Sequence, residues 1–261
     1  MFIIFKRKNI INCCIAVFLL ISTISISSFG YNYYRFVYTN TVLTPDITNR
    51  INQLYKNDEK IAYLTFDDGP TKKVTPKVLD ILNKTNVKAN FFLLGVHVDQ
   101  FPDIVKREYD EGHFLANHGY SHNNALLYKS KESFLNEIKS TDVAIGKAIG
   151  LPNYKCHLFR FPNGSVSNIY HNQKIQAISF LNEIDYTYID WNVLNNDSIC
   201  KYSQYQLLNN LKKSCKGKNT IVILMHDTGD VNNTYDVLED SINYLKNEGY
   251  AFKTFHDFFK L

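Results

Sequence analysis

The sequence predicts a parallel α/β fold for its C-terminal three quarters, and three observations indicate it. From Ile61 onward, short apolar segments alternate with amphipathic segments of helical period. The segment from Thr220 to Met225 is almost continuously apolar, which is typical of a strand that is buried on both faces. Polar and charged motifs directly follow these apolar segments, as they do where parallel strands end at the rim of an active site.

The predicted elements follow one another in order, and Gly and Pro residues separate most of them. Pro76 and Pro102 are well placed to begin helices, and Ser130 to cap one that ends at Gly150. The strands are predicted at 61–66, 89–94, 113–116, 158–161, 186–191, 220–225 and 250–255. The helices are predicted from 76, at 102–112, at 130–149 and at 235–248.

The N-terminus has the pattern of a membrane segment. Lys6-Arg7-Lys8 precede a largely apolar run over residues 10–26. We expect an uncleaved single-pass anchor with the basic residues in the cytoplasm and the remainder outside the cell membrane. Cleavage near Ser28-Phe29-Gly30, which would give a secreted protein, is the alternative. The predicted organisation is a membrane segment at 1–30, a stalk at 31–59 and one catalytic domain at 60–261, and we expect a chain starting near Asn32 to remain active.

Net charge and cysteine content exclude few function classes. A net charge of +4 is too small to indicate nucleic-acid binding, and part of it belongs to the N-terminal basic cluster. Five cysteines do not form a disulfide framework, although a Cys200–Cys215 bond is possible in an exported protein. We expect a monomer.

Two motifs carry the strongest chemical signal. Asp67 and Asp68 follow the first predicted strand and precede Gly69-Pro70, a pattern that a simple Asp-Gly turn also explains. His118 and His122 have i, i+4 spacing, so one helical turn or a tight loop can direct both imidazoles at one ion. One carboxylate and two imidazoles predict an open metal site.

At these motifs the chain resembles the NodB-like polysaccharide deacetylases, carbohydrate esterase family four. Candidates for all five family motifs occur in the family's order. They are Thr65 to Pro70, His118 to His122, Arg160-Phe161-Pro162-Asn163-Gly164, Asp190-Trp191 and Leu224-Met225-His226. The resemblance implies a distorted (β/α) barrel of seven or eight units, preceded here by the membrane segment.

The resemblance also implies how the first half of the site works. Asp68, His118 and His122 bind a divalent metal, with Zn²⁺ expected first and Co²⁺, Mn²⁺ or Ni²⁺ as alternatives. Asp67 is the general base, and Arg160 pairs with it and holds it in place.

Five further residues complete the site that the resemblance implies. His226 is the catalytic acid, and Asp190 is the carboxylate that orients it and raises its pKa. The backbone N–H of Asn163 donates to the oxyanion, and Trp191 and Leu224 form the pocket for the acetyl methyl group.

The chain departs from the family pattern at two positions. Many members carry Tyr where this chain has Asn163, a change that spares the backbone donor and alters the wall of the groove. Many members also carry an acid at the position of Thr187, and we find no physical reason why its loss should abolish activity.

The expected function is metal-dependent removal of N-acetyl groups from N-acetylglucosamine residues of a polysaccharide, most of all peptidoglycan. Chitin oligomers, an exopolysaccharide or acetylated xylan are alternative substrates. A catalytically inactive surface glycan-binding protein is the non-enzyme alternative, and the presence of every candidate catalytic side chain argues against it.

Overall fold

The sheet is organised around strand β1, Ile61–Asp67, every residue of which is buried. The structure is a computed structural model that describes residues 53–56, 58–229, 231–232 and 234–257. Strand β7, Thr220–His226, pairs in parallel with β1 along its whole length, from Ile61 opposite Thr220 to Asp67 opposite His226. This register places the predicted base and the predicted acid side by side at the end of two central strands.

The other strands are shorter and also run parallel to their neighbours. They are β2 Asn90–Leu93, β3 Phe114–Asn117, β4 Leu158–Phe159, β5 Thr187–Tyr188, β6 Val193–Leu194 and β8 Ala251–Phe252. The order across the sheet is β5-β4-β3-β2-β1-β7-β6. Among the described residues this order ends at β5 and β6 without a pairing between them, so the strands form a half-barrel.

The distortion has a local origin at β1. Its first residues, Ile61 and Ala62, pair with β8, whereas Thr65–Asp67 pair with β2. One edge of β1 therefore serves two strands in succession, and β8 lies off the main path of the sheet.

Helices connect the strands and cover the sheet. They are α1 Thr75–Thr85, α2 Gly95–Gln100, α3 Pro102–Asp110, α4 Asn124–Leu127, α5 Lys131–Ile149, α6 His171–Glu183, α7 Gln204–Cys215 and α8 Tyr235–Asn247. Short 3₁₀ helices lie at Leu54–Lys56 and Phe255–Asp257. The predicted caps of α5 are present, because the Ser130 hydroxyl accepts the Ser133 N–H and Gly150 ends the helix with φ 77°.

The α/β fold and the positions of all seven predicted strands are confirmed, but one strand was missed. Val193–Leu194 forms β6, which pairs with β7 at Ile223 and Leu224. This strand has only two residues, too few for an apolar pattern to stand out from a loop. The consequence is large, because β6 delivers a carboxylate to the site.

Three expectations about the rest of the chain have different outcomes. The predicted membrane segment at 1–30 and most of the predicted stalk lie outside the described residues. Within the part of the chain that is described, no helix is both long and apolar enough to cross a membrane. Cys200 and Cys215 are both free, so the disulfide that the sequence left open is not formed.

Candidate active site

The predicted metal ligands come together at the ends of β1 and β3. Asp68 Oδ1 lies 3.2 Å from His118 Nε2 and 3.4 Å from His122 Nε2. The ligand atoms of all three residues lie within 4.8 Å of one another. His118 and His122 belong to a tight loop rather than to a helix, since α4 begins only at Asn124.

The surroundings of this group fit a divalent cation. Asp68 Oδ1 is buried and has no hydrogen-bond donor among the described residues. The Nδ1–H of His118 donates to the Arg160 carbonyl at 2.8 Å, which leaves Nε2 directed to the site. Burial alone would raise the pKa of Asp68, but His118, His122 and His226 hold the pKa well below its usual value. A carboxylate oxygen between two imidazole nitrogens, without a donor of its own, is a suitable donor set for zinc or a similar ion.

Asp67 is held by a buried arginine. Arg160 is fully buried, and its Nη1 donates to Asp67 Oδ1 at 2.7 Å and to Thr65 Oγ1 at 2.6 Å. Its Nε donates to the Ile189 carbonyl at 3.1 Å, and the guanidinium lies 3.8 Å from the centre of the Phe92 ring. These contacts fix the orientation of the guanidinium and therefore of the carboxylate beside it. The predicted contact between Arg160 and Asp67 is present.

His226 pairs with Asp197, and the predicted pairing with Asp190 is wrong. The Nδ1–H and the backbone N–H of His226 donate to the two oxygens of Asp197, both at 2.8 Å. The Thr234 hydroxyl donates to the same carboxylate at 2.5 Å. Burial alone would lower the pKa of His226, but the hydrogen bond and charge of Asp197, with the charges of Asp67 and Asp68, raise it to about 9.

The topology explains this correction. Asp190 follows β5 at one end of the sheet, whereas Asp197 follows β6, the direct neighbour of β7. The Asp190 carboxylate instead accepts the backbone N–H of Ser165 at 3.0 Å and its hydroxyl at 2.5 Å. Sequence reasoning missed Asp197 because it lies in an Asn-Asn-Asp-Ser run that is typical of a turn.

The cleft has a volume of about 550 Å³ and contains most of the predicted site. Of the predicted site residues, Arg160 and Asp190 are not among those that line it. The predicted residues that line the cleft are Asp67, Asp68, His118, His122, Asn163, Trp191, Leu224 and His226. Asp197 and Leu194 are among the residues that line it but were not predicted.

The backbone N–H of Asn163 is available as a hydrogen-bond donor. Its φ is 64°, and its backbone N–H donates to no backbone carbonyl in the described part of the chain. Trp191 lies against the neighbouring Gly164, where an added Cβ would come within 3.1 Å of the indole. The wall of the cleft therefore combines a free backbone donor with an apolar ring.

Together these groups can hold a cation, accept a proton and donate one within a single cleft. Asp67 can act as a base, because Arg160 fixes it beside the three metal-ligating residues. His226 can act as an acid, because its raised pKa keeps it protonated at neutral pH. This combination is typical of metal-assisted hydrolysis of an amide or ester.

Comparison with known proteins agrees with this chemistry. The sequence profile described as polysaccharide deacetylase matches residues 55–184. A putative polysaccharide deacetylase of Bacillus subtilis is 37% identical over 220 residues, which are 82% of this chain and 74% of the relative. A peptidoglycan-N-acetylglucosamine deacetylase of Bacillus cereus is 35% identical over 205 residues, which are 77% of this chain and 71% of the relative.

A solved structure extends the similarity to the fold. A CE4 esterase of Streptococcus mutans superimposes with a TM-score of 0.71 at 30% identity, over 82% of this chain and 92% of that one. Sequence, fold and cleft therefore agree, and the chain belongs to the polysaccharide deacetylase family, carbohydrate esterase family four.

Proposed function

We propose that this protein is a metal-dependent hydrolase that removes N-acetyl groups from N-acetylglucosamine residues of peptidoglycan and releases acetate. The observation that carries the proposal is the composition of the cleft. Asp67, held by Arg160, and the protonated His226 lie beside the three candidate metal ligands. The substrate is suggested by relatives named as peptidoglycan-N-acetylglucosamine deacetylases.

Asp68, His118 and His122 would hold the ion, and we propose Zn²⁺, with Co²⁺, Mn²⁺ and Ni²⁺ as alternatives. When bound, such an ion makes water more acidic and polarises a carbonyl group. All three residues line the cleft, and the side chains of Asp68 and His122 are partly exposed there, which gives substrate access to the group.

The remaining steps belong to the protein's own side chains. Asp67 accepts a proton from the water that attacks the acetyl carbon, and Arg160 keeps its carboxylate in position. The backbone N–H of Asn163 donates to the oxygen that becomes negatively charged. His226 then donates its Nε2 proton to the sugar nitrogen as the C–N bond breaks, which yields acetate and a free amine.

The acetyl group also needs an apolar contact, and we propose that Trp191 and Leu224 provide it. Both line the cleft, and Leu224 lies on β7 two residues before His226. The methyl group would then lie against apolar surface while the carbonyl faces the donors.

The sequence pattern of the N-terminus supports a proposal about location. We propose that the basic and apolar segment anchors the chain in the cell membrane with the catalytic domain outside, where peptidoglycan is accessible. Release after cleavage of the segment is the alternative. Detection of the intact N-terminus in the membrane fraction supports the anchor, and a mature chain starting near residue 31 contradicts it.

Acetate release from defined glycans tests the function. We expect the purified protein to release acetate from peptidoglycan faster than from chitin oligomers or acetylated xylan, and Asp67→Asn to abolish most of this release. A preference for one of the other glycans would replace the substrate and keep the reaction. No release from any of them, with normal glycan binding, would favour the inactive glycan-binding alternative.

A further inference from the structure

The loop that carries Asn163 has a conformation that needs outside support. Residues 161–167, here called the oxyanion loop, contain two consecutive residues with positive φ, Asn163 at 64° and Gly164 at 78°. Glycine adopts this region freely and Asn does so more readily than other residues with a Cβ, but the region is sparsely populated and contacts with the surroundings keep a loop there. Within the loop, one backbone hydrogen bond, from Gly164 N–H to the Phe161 carbonyl at 2.8 Å, contributes to this.

A buried lysine supplies one external contact. Lys174, in the first turn of α6, is only 1% exposed. Its Nζ donates to the Gly164 carbonyl at 2.6 Å and to the Ser167 hydroxyl at 2.7 Å. Burial of an ammonium group is costly unless it is hydrogen-bonded, and both of these partners belong to the oxyanion loop.

An aspartate on a different element supplies the other contact. The Asp190 carboxylate accepts the Ser165 N–H at 3.0 Å and the Ser165 hydroxyl at 2.5 Å. Hydrogen bonds to a charged acceptor are stronger than those between neutral groups. The following residue, Trp191, lies against Gly164, so the segment after β5 touches two successive residues of the loop.

The loop is therefore held between a cation and an anion that have no salt bridge to each other in the described part of the chain. Lys174 binds the carbonyl of Gly164, and Asp190 binds the N–H of the next residue, Ser165. The two contacts fix the peptide unit between Gly164 and Ser165 at both of its polar groups. This unit lies two peptide units after the one that carries the Asn163 N–H, and the intervening unit is held by the hydrogen bond from Gly164 N–H to the Phe161 carbonyl.

We propose that Lys174 and Asp190 are positioning residues that clamp the oxyanion loop and so keep the Asn163 N–H at the wall of the cleft. This inference rests on the proposed function, because it gives that N–H its role. It also assigns Asp190 a different role from the one expected from the sequence, because Asp190 holds the oxyanion loop and does not orient His226.

The test combines a rate with a measurement that does not depend on activity. Lys174→Met keeps the length of the side chain and removes the donor. We expect amide hydrogen exchange in the oxyanion loop to rise by about tenfold or more, since one of the two side chains that oppose opening of the loop is lost. We expect kcat for acetate release to fall by roughly 10- to 100-fold, because a misplaced oxyanion donor acts in the transition state. KM should change by less than about threefold, and the metal content should stay the same.

Leu181→Ala is the matched control, because Leu181 is also buried on α6 and its carbonyl accepts from Ile184 and Tyr186 rather than from the loop. It should lower the melting temperature at least as much as Lys174→Met while loop exchange and kcat stay near wild type. Asp190→Ala should reproduce both effects of Lys174→Met, and it carries the test if the lysine variant does not fold. Asp190→Asn retains an acceptor for the Ser165 N–H and should restore part of the rate.

The clamp is contradicted if exchange in the loop is unchanged in both Lys174→Met and Asp190→Ala. It is also contradicted if Leu181→Ala raises loop exchange and lowers kcat as much as Lys174→Met does, because loss of stability then explains everything. A wild-type protein that releases no acetate contradicts the proposed function, while the exchange data still decide whether the clamp exists.

Discussion

The two sides of the cleft are built in different ways. The metal half consists of Asp67, Asp68, His118, His122 and Arg160, and the acid half of Asp197, His226 and Thr234. In the metal half, two carboxylates face one arginine and a pair of imidazoles, and Asp68 Oδ1 has no donor within the described residues. In the acid half, one carboxylate faces one imidazole, and both Asp197 oxygens accept hydrogen bonds.

This difference separates a part of the site that needs a ligand from a part that is complete by itself. The metal half has acceptor atoms directed at a common point, so we expect its stability and function to depend on a bound cation. The acid half already has its counter-charge in Asp197, which does most to raise the pKa of His226, and the charges of Asp67 and Asp68 add to this rise. Substitutions on the two sides should therefore produce different kinds of defects.

The largest effects are expected in the metal half, where two adjacent aspartates have different tasks. Asp67→Asn should lower acetate release by roughly 10² to 10⁴ and retain the metal, because it removes a general base but no ligand. Asp68→Asn should lose metal as well as activity, because an amide oxygen is an uncharged and weaker ligand. Metal content and acetate release of both variants test this. If Asp67→Asn loses the metal and Asp68→Asn keeps it, the two roles are exchanged.

In the acid half, a smaller loss with a change in pH dependence is expected. Asp197→Asn should lower kcat by roughly 10- to 100-fold. Removal of the negative charge also lowers the pKa of His226 from its raised value, so the acid form is lost at lower pH. The alkaline limb of the pH–rate profile should therefore move to lower pH.

Asp190→Asn is the matched control for this prediction. It changes the same functional group, but Asp190 contacts Ser165 and not His226. Its alkaline limb should stay where it is in the wild type, whatever happens to kcat. If Asp190→Asn moves the limb and Asp197→Asn does not, the pairing in the acid half is wrong.

The smallest expected effect is a gain in thermal stability on addition of zinc. An ion at a hundred times its Kd contributes about 2.7 kcal/mol, or about 5 to 10 °C in melting temperature for a domain of this size. Wild type and Asp197→Asn should gain equally, because the acid half holds no metal, and Asp68→Asn should gain little. An equal gain in all three proteins would place the stabilising ion elsewhere.

The metal half could be predicted from the sequence for a physical reason. Asp67 ends a seven-residue strand whose apolar pattern is clear, and Asp68 follows it. The spacing of His118 and His122 limits where their side chains can point. Each motif is local, so its geometry depends mostly on neighbouring residues. Parallel pairing then brings the ends of these strands to one rim.

The acid half could be predicted only in part. His226 follows the long strand β7 and was identified, but its partner depends on which strand lies beside β7. That strand, β6, has two residues, and Asp197 follows it in a run of turn-forming residues. The Asp190-Trp191 pair follows a clearer apolar segment, so Asp190 was predicted to be the carboxylate that orients His226. Pairing between strands joins residues that are far apart in the sequence, and a two-residue strand has too short an apolar pattern to be recognised from the sequence alone.

Zinc titration of the metal-free protein tests the central claim most directly. The protein is stripped with a chelator, its metal content is measured, and acetate release from peptidoglycan is followed as Zn²⁺ is added. We predict no release at the start and an increase that saturates near about one equivalent per chain, because Asp68, His118 and His122 form one site. Full activity in a preparation shown to contain no metal would contradict the account.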